Sequence, residues 1–292
     1  MNTLAVVALF VGCGDKPEET GPTGTSGDPF LFVTDEIIGD ASCYTPGDPW
    51  LTQSPDPAKQ VSLPATVDLE DFEDGCCVPD VKADVWLSDD ANTTADLTSL
   101  VSGADGKITG FDLPACTPIT YRTWTDPALD ATKDTYEAHQ VSADDGTGSV
   151  VTQFNSVSAT TYDVVAAVLG VSIDADRSII AGTVYGCDEE PIEAAQVIVV
   201  DDAGNRPDGL VIHYMVDEFP DRDQPWTSED GLWVALDVPA GDWTIEAWGV
   251  VGGTLQQIGA TKLRAEADSI NISNIYVGYG DGVKYPDACL AN

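Results

Sequence analysis

Basic residues are scarce in this chain: 12 lysines and arginines stand against 50 aspartates and glutamates in 292 residues, a formal charge of −38 at neutral pH. Such a polyanion repels phosphate backbones, so nucleic acid is excluded as a partner. Histidine is nearly absent, with His139 and His213 the only two. Neither stands in a His-Glu-x-x-His or Gly-x-Ser-x-Gly context, so a zinc hydrolase or a serine relay has no recognisable frame. No run approaches the roughly 20 apolar residues of a membrane-spanning helix. The acids are spread along the whole chain, which marks a solvated surface rather than an acidic tail. Asp221-Arg-Asp223 and Asp174-Ala-Asp176 are only fragments of calcium-loop spacing, and carboxylate pairs such as Glu70-Asp71 and Glu189-Glu190 are coincidences that fifty acids make inevitable. No catalytic residue, metal site or cofactor is therefore expected.

What is present begins at the N-terminus. Thr3 to Gly12 is an uncharged apolar run that ends in a small residue ahead of Cys13, the pattern of a secretory h-region, though without the usual Lys/Arg before it. A run of about ten apolar residues is too short to cross the ~30 Å hydrocarbon core. Phe10-Val11-Gly12-Cys13 resembles the bacterial lipobox, in which the peptide is cut before a cysteine that carries diacylglycerol on its sulfur. The resemblance implies a signal peptide over 1–12, lipidation of Cys13 and an exported protein anchored through lipid in the cell envelope, at the outer membrane or cell surface. Residues 14 to 29 contain no large apolar side chain and cannot offset the entropy of ordering. With Cys13 they form a lipidated N-terminus and flexible tether, 13–29.

Six cysteines remain: Cys43, Cys76, Cys77, Cys116, Cys187 and Cys289. An even number in an exported chain is expected to form disulfides. Cys187 and Cys289, the only two after the middle of the chain, are expected to pair with each other. The Cα atoms of adjacent Cys76 and Cys77 lie only ~3.8 Å apart, which disfavours a bond between them. One is then expected to reach Cys43 and the other Cys116, in either combination.

An internal repeat sets the domain organisation. Asp105-Gly106-(five residues)-Asp112-Leu-Pro-Ala115 recurs 125 positions later as Asp230-Gly231-(five residues)-Asp237-Val-Pro-Ala240. Upstream, the segment Ala83–Asn92 echoes Ala195–Gly204, and downstream Thr120–Trp124 echoes Thr244–Trp248. In the second copy the apolar segments Ile179–Tyr185, Ala195–Val200, Gly231–Val238, Trp243–Trp248 and Ile270–Val277 are of strand length and are separated by turn residues. Leu232, Val234, Leu236 and Val238 alternate with Trp233, Ala235 and Asp237, which predicts a sheet with one buried side. Ser158 to Gly170 predicts the one helix, with Ser158 as N-cap, Gly170 just past its end, and Tyr162, Val165, Val168 and Leu169 as its packing stripe.

The fold class that follows is all-β: two tandem small β-sandwiches, prealbumin-like or Ig-like, over 30–155 and 176–292, joined by a linker helix within 156–175. Each copy has its own turn and corner and is expected to fold alone. Gly182-Thr-Val-Tyr-Gly-Cys187, Pro191-Ile-Glu-Ala-Ala-Gln-Val-Ile-Val199, Ser228-Glu-Asp-Gly231 and Val238-Pro-Ala-Gly-Asp-Trp-Thr-Ile245 resemble the carboxypeptidase regulatory-like, or transthyretin-like, sandwich. Ala194 stands where that pattern commonly has glycine, and Cys116 replaces the corner glycine in the first copy. The resemblance implies a non-catalytic module and brings no catalytic residue with it. Three roles are compatible with these features: a structural or protein-interaction lipoprotein with other envelope proteins as partners, a carbohydrate-binding or adhesion module stacking glycans on Trp50, Trp226 or Trp233, and an adhesin with Lys–Asn isopeptide bonds. The last is disfavoured because Ser178–Tyr185 contains no lysine.

Overall fold

The computed structural model describes residues 31–291 apart from Asp48, Pro49, Glu73, Asp74, Asp89, Asp90, Asn92, Pro127, Leu129 and Asp130. The apolar N-terminal run, Cys13, the tether and the side chain of Cys76 lie outside the described residues. In chain order the strands are β1 (Ser62–Asp71), β2 (Gly75–Cys76), β3 (Lys82–Trp86), β4 (Leu97–Val101), β5 (Lys107–Pro114), β6 (Ile119–Trp124), β7 (Thr132–Lys133), β8 (Thr135–Gln140) and β9 (Val150–Ser158). Helix α1 (Ala159–Leu169) follows. The second half has β10 (Arg177–Tyr185), β11 (Gln196–Val200), β12 (Val211–Val216), β13 (Phe219–Asp221), β14 (Leu232–Pro239), β15 (Gly241–Val251), β16 (Thr254–Ala265), β17 (Ile270–Ile272) and β18 (Ile275–Tyr276).

The repeated sequence corresponds to a repeated topology. In the first half β1 lies between antiparallel β5 and parallel β9, and β3-β6-β8 forms the facing sheet. In the second, β10 lies between antiparallel β14 and parallel β17, faced by β11-β15-β16. Between the sheets Val67, Leu69, Leu113 and Phe154 fill one core, and Ile180, Val199, Trp233, Ile245 and Ile258 the other. Both Asp-Gly turns place the glycine at positive φ, +70° at Gly106 and +65° at Gly231, the conformation that costs glycine least. Neither position has room for a side chain, since a Cβ would meet Cys77 in one case and the carbonyl of Val184 in the other.

The expected one-sided β14 is buried on both sides. Leu232, Val234 and Leu236 join a cluster with Tyr162, Leu169, Ile179, Met215 and Ile270, while Trp233 and Ala235 enter the second core. The cause is α1, which lies over the face that the alternation left open. A register shift against β10, with Asp237 at φ +60°, then turns Val238 to the Trp233 side. The helix itself forms where expected: the Ser158 hydroxyl accepts from the Thr161 N–H at 3.0 Å, and Gly170 closes the end in the left-handed region. Tyr162 and Leu169 are buried, but Val168 is 47% exposed and is not part of the stripe. The expected last strand breaks into β17 and β18 because the Asn274 side chain, not a backbone carbonyl, accepts from Thr183 N–H.

The halves share one sheet. Ile270–Ile272 pairs in parallel with β10 on one edge and, through Ile270↔Thr135 and Ile272↔Glu137, with β8 of the first half on the other. A single ladder therefore runs β13-β12-β14-β10-β17-β8-β6-β3-β4. The chain ends cross as well. Residues 31–51, ahead of the first sandwich, lie on the second: Leu31 packs with Ile198 and Val200, Ile38 exchanges backbone bonds with Glu193, and Leu51 N–H donates to Gly278. The C-terminal tail returns to the first core, where Cys289 is fully buried.

Two disulfides follow these crossings and correct the expected pairing. Cys187 bonds Cys43, and Cys289 bonds Cys116, across 144 and 173 positions. Cys43 and Cys116 are thereby taken, and Cys77 is disulfide-bonded to neither of them. Independent folding of the second copy is hard to reconcile with this arrangement. Residues 172–292 alone would lack the β8 partner of β17, the covering segment 31–51, and the partners of Cys187 and Cys289. Expressed alone they should give a broad melt with dye-accessible apolar surface, whereas the full chain melts cooperatively; a sharp, independent transition would overturn this. In the full chain, replacing either cysteine pair by alanine should cost up to about 5 kcal/mol of unfolding free energy on the chain-entropy argument, measured by denaturant titration.

Candidate functional site

Glu137 is the only acid or base buried among the described residues, at 4% exposure. It is brought inside by position: β8 is flanked by β6 and β17, so Glu137 stands opposite Tyr121 on one strand and Ile272 on the other. Its carboxylate accepts from the Tyr121 hydroxyl, from Asn155 Nδ2 at 2.8 Å and from Gln140 Nε2 at 2.7 Å. Tyr121 is fixed in turn. Its ring stacks on Phe154 at 3.8 Å between centroids, and its oxygen accepts from Asn155 N–H at 2.7 Å. All three donors to Glu137 are neutral, so burial outweighs the hydrogen bonds and pushes its pKa above the ordinary 4.5. Burial, with Glu137 beside it, also drives the Tyr121 phenol well above its usual range.

Glu137 and Asn155 form one wall of a cleft of about 220 Å³ at the junction of the two sandwiches. The floor is β10 and β14, with Ile179, Thr183 and Trp233. Val165 and Tyr162 of α1 close one side, and Phe72, Tyr185 and Asn274 stand around the rest. The cleft exists because β9 and α1 together do not cover the whole face of the shared sheet. Gly182 leaves the floor flat: a Cβ there would come within 2.2 Å of the Ser273 carbonyl oxygen and 3.3 Å of the Trp233 ring.

No serine, cysteine, lysine or histidine is among the residues that line this cleft. His213 is half-buried on β12, its pKa lowered by desolvation and then by Arg222. His139 lies on β8 at φ +64°, with its Nε2 on the Lys262 carbonyl. Among the described residues no three metal-ligating side chains converge, and no helix is long and apolar enough to cross a membrane. Neither β1 nor β10 contains a lysine, so the lysine of an isopeptide bond is missing from the equivalent strand of both copies.

Of the residues singled out as stacking platforms, Trp233 is fully buried and offers no face to a sugar; its core position corrects that expectation. Trp226 is partly buried. Trp50 is 37% exposed, packed over Gly280 and tilted 6.4 Å from Tyr44. Glu137, Tyr121 and Asn155 were not legible as a group, since one acid among fifty carries no mark and only strand pairing brings the three together.

Glu137 gives a pH prediction. Because its folded pKa is raised, its contribution to stability is complete below the unfolded carboxylate range and is lost as pH rises through the folded pKa. Glu137→Gln should therefore melt higher than the parent at neutral pH, and the difference should shrink on acidification. A difference independent of pH, followed by thermal melts from about pH 4 to pH 8, would contradict this.

Neither a protein-family model nor a curated protein sequence matches the chain. Solved structures similar to it include the Bacillus anthracis TIE protein, at 12% identity and a TM-score of 0.23 over 77% of this chain and 35% of that one. The shaft pilin SpaA from Lactobacillus rhamnosus GG is similar at 12% identity and a TM-score of 0.24, over 74% of this chain and 99% of the pilin. BcpA, the major pilin subunit of Bacillus cereus, gives 7% and 0.23 over 74% and 99%. The chain thus spans about a third of the TIE protein and nearly all of the two pilins, and at such TM-scores no role follows from the likeness.

Proposed function

We propose that this chain is an exported, non-catalytic lipoprotein of the cell envelope, held to a membrane through Cys13 and serving a structural or protein-interaction role. The observation that carries this reading is the crossed pair of disulfides, Cys43–Cys187 and Cys116–Cys289. Bonds of this kind persist in oxidising compartments outside the cytosol, and the lipobox-like Phe10–Cys13 offers the route there. The carboxypeptidase regulatory-like pattern in the second copy supports the same role, because it carries no catalytic group. Stiffness suits it too: a lipid-anchored body fused through one sheet and stapled at both ends holds its surfaces in fixed relation to the tether.

A second reading, glycan binding or adhesion, rests on Trp50, which remains partly exposed beside Tyr44. Retention of the full chain on insoluble polysaccharide, lost on Trp50→Ala, would favour it.

The anchor is tested by expression of the complete chain in a bacterial host. The parent should incorporate labelled palmitate and partition into detergent, with both disulfides recovered by non-reducing peptide mapping. Cys13→Ser should abolish labelling and release the protein to the soluble fraction. If that variant stays with the membrane, the lipoprotein reading fails.

A further inference from the structure

We infer that the cleft beside Glu137 is a binding site for a small apolar molecule carrying one cationic amine, with the amine at the carboxylate and the apolar body over β10 and β14. Three observations point the same way. A buried carboxylate is ordinarily paired with a cation, yet the partners of Glu137 are a phenol and two amides, and one lone pair of the oxygen facing Gln140 remains unused. The cavity beside it is lined chiefly by apolar and aromatic side chains, and its volume of about 220 Å³ is somewhat larger than the roughly 150 Å³ apolar cavity that accepts benzene. Phe72, Tyr162 and Tyr185 also line the cleft, and aromatic rings favour a cation.

The charge of the whole chain acts in the same direction. A surface at −38 concentrates small cations and repels anions, so a carboxylate-bearing analogue of the same shape is doubly disfavoured. The rest of the lining determines size and not charge. Asn155 is already committed to Glu137, and Asn274 accepts from Thr183 N–H. The hydroxyls of Thr161, Tyr162, Thr183 and Tyr185 in the lining carry no charge, so a neutral hydrocarbon would gain only its apolar contact.

Calorimetry and ligand-observed NMR on the full disulfide-bonded chain at physiological ionic strength would test this with three probes of one shape: phenethylammonium, ethylbenzene and phenylpropionate. Phenethylammonium should bind at least tenfold more tightly than ethylbenzene, and phenylpropionate should not bind measurably. Glu137→Gln, which removes one negative charge of fifty and leaves non-specific attraction essentially intact, should bring phenethylammonium down to the affinity of ethylbenzene. Val165→Trp, which fills the cleft from the half-buried side of α1, should abolish binding of both. The inference is overturned if no probe binds, if the amine shows no advantage over ethylbenzene, if the amine binds Glu137→Gln as well as the parent, or if Val165→Trp leaves binding unchanged.

Discussion

The arrangement depends on a three-residue strand, Ile270–Ile272, that pairs on both edges at once. A short strand of this kind is weak by itself, and it holds because each edge is completed by a different sandwich. Its central residue is polar yet satisfied: the Asn271 amide donates to the Ile179 carbonyl and Ser269 hydroxyl, each at 3.1 Å, and accepts from Glu266 N–H at 3.0 Å. With those bonds made, a buried asparagine fixes register instead of imposing a desolvation cost. Through β17 the second half's main sheet continues into β8-β6-β3, which is the opposite layer of the first half's sandwich. Two related folds are thus joined out of phase, and edges that would template aggregation are covered.

The termini reinforce this junction. The segment before the first sandwich is held by the second, and the tail after the second is held by the first, so a single cut between the halves leaves them joined through Cys43–Cys187 and Cys116–Cys289. The loops closed by the two disulfides overlap between residues 116 and 187, which means that their entropic effects are not additive. In the native arrangement Cys116 stands at the corner between β5 and β6, and the C-terminal tail comes back to it with Cys289. Cys116 occupies that corner at φ +53°, the left-handed region that glycine fills more readily; the bridge is the reason a residue other than glycine stands there.

The fold was legible where local rules governed it. Asp-Gly at 105–106 and 230–231, the Pro-Ala corners, and the Ser158 and Gly170 caps are decisions that a few residues make by themselves, and each is found in place. The rest depends on partners far away in the chain. Alternation in Leu232–Val238 identifies a strand but cannot say that a helix from 70 positions upstream will cover its second face. Cysteine spacing suggested pairing within each copy because nothing local announces that the two ends exchange sandwiches. Trp233 was taken with Trp50 and Trp226 as a possible stacking platform because residue type alone does not tell an exposed indole from a core one, yet its ring is the largest side chain in the second core. The Glu137 group was illegible for the same reason, being assembled from β6, β8 and β9 by register alone.

Scarcity of base accounts for why that carboxylate stands alone. Six of the twelve bases are held by acids: Lys107 by Asp68, Arg122 by Asp134, Lys133 by Asp268, Arg177 by Asp237, Arg264 by Asp242 and Glu266, and Lys284 by Glu189. Most of these pairs bridge separate strands or loops, and in an exposed setting each is worth little alone. Their value is in placing positive charge among closely spaced negatives, where the self-repulsion of a −38 body would otherwise act against compaction. With so few bases in the chain and none hydrogen-bonded to Glu137, the interior charge at the junction is left to a phenol and two amides. Those groups can hold Glu137 in one orientation, but they cannot neutralise it. The same imbalance that excludes nucleic acid at the surface therefore leaves an uncompensated carboxylate where the two sandwiches meet.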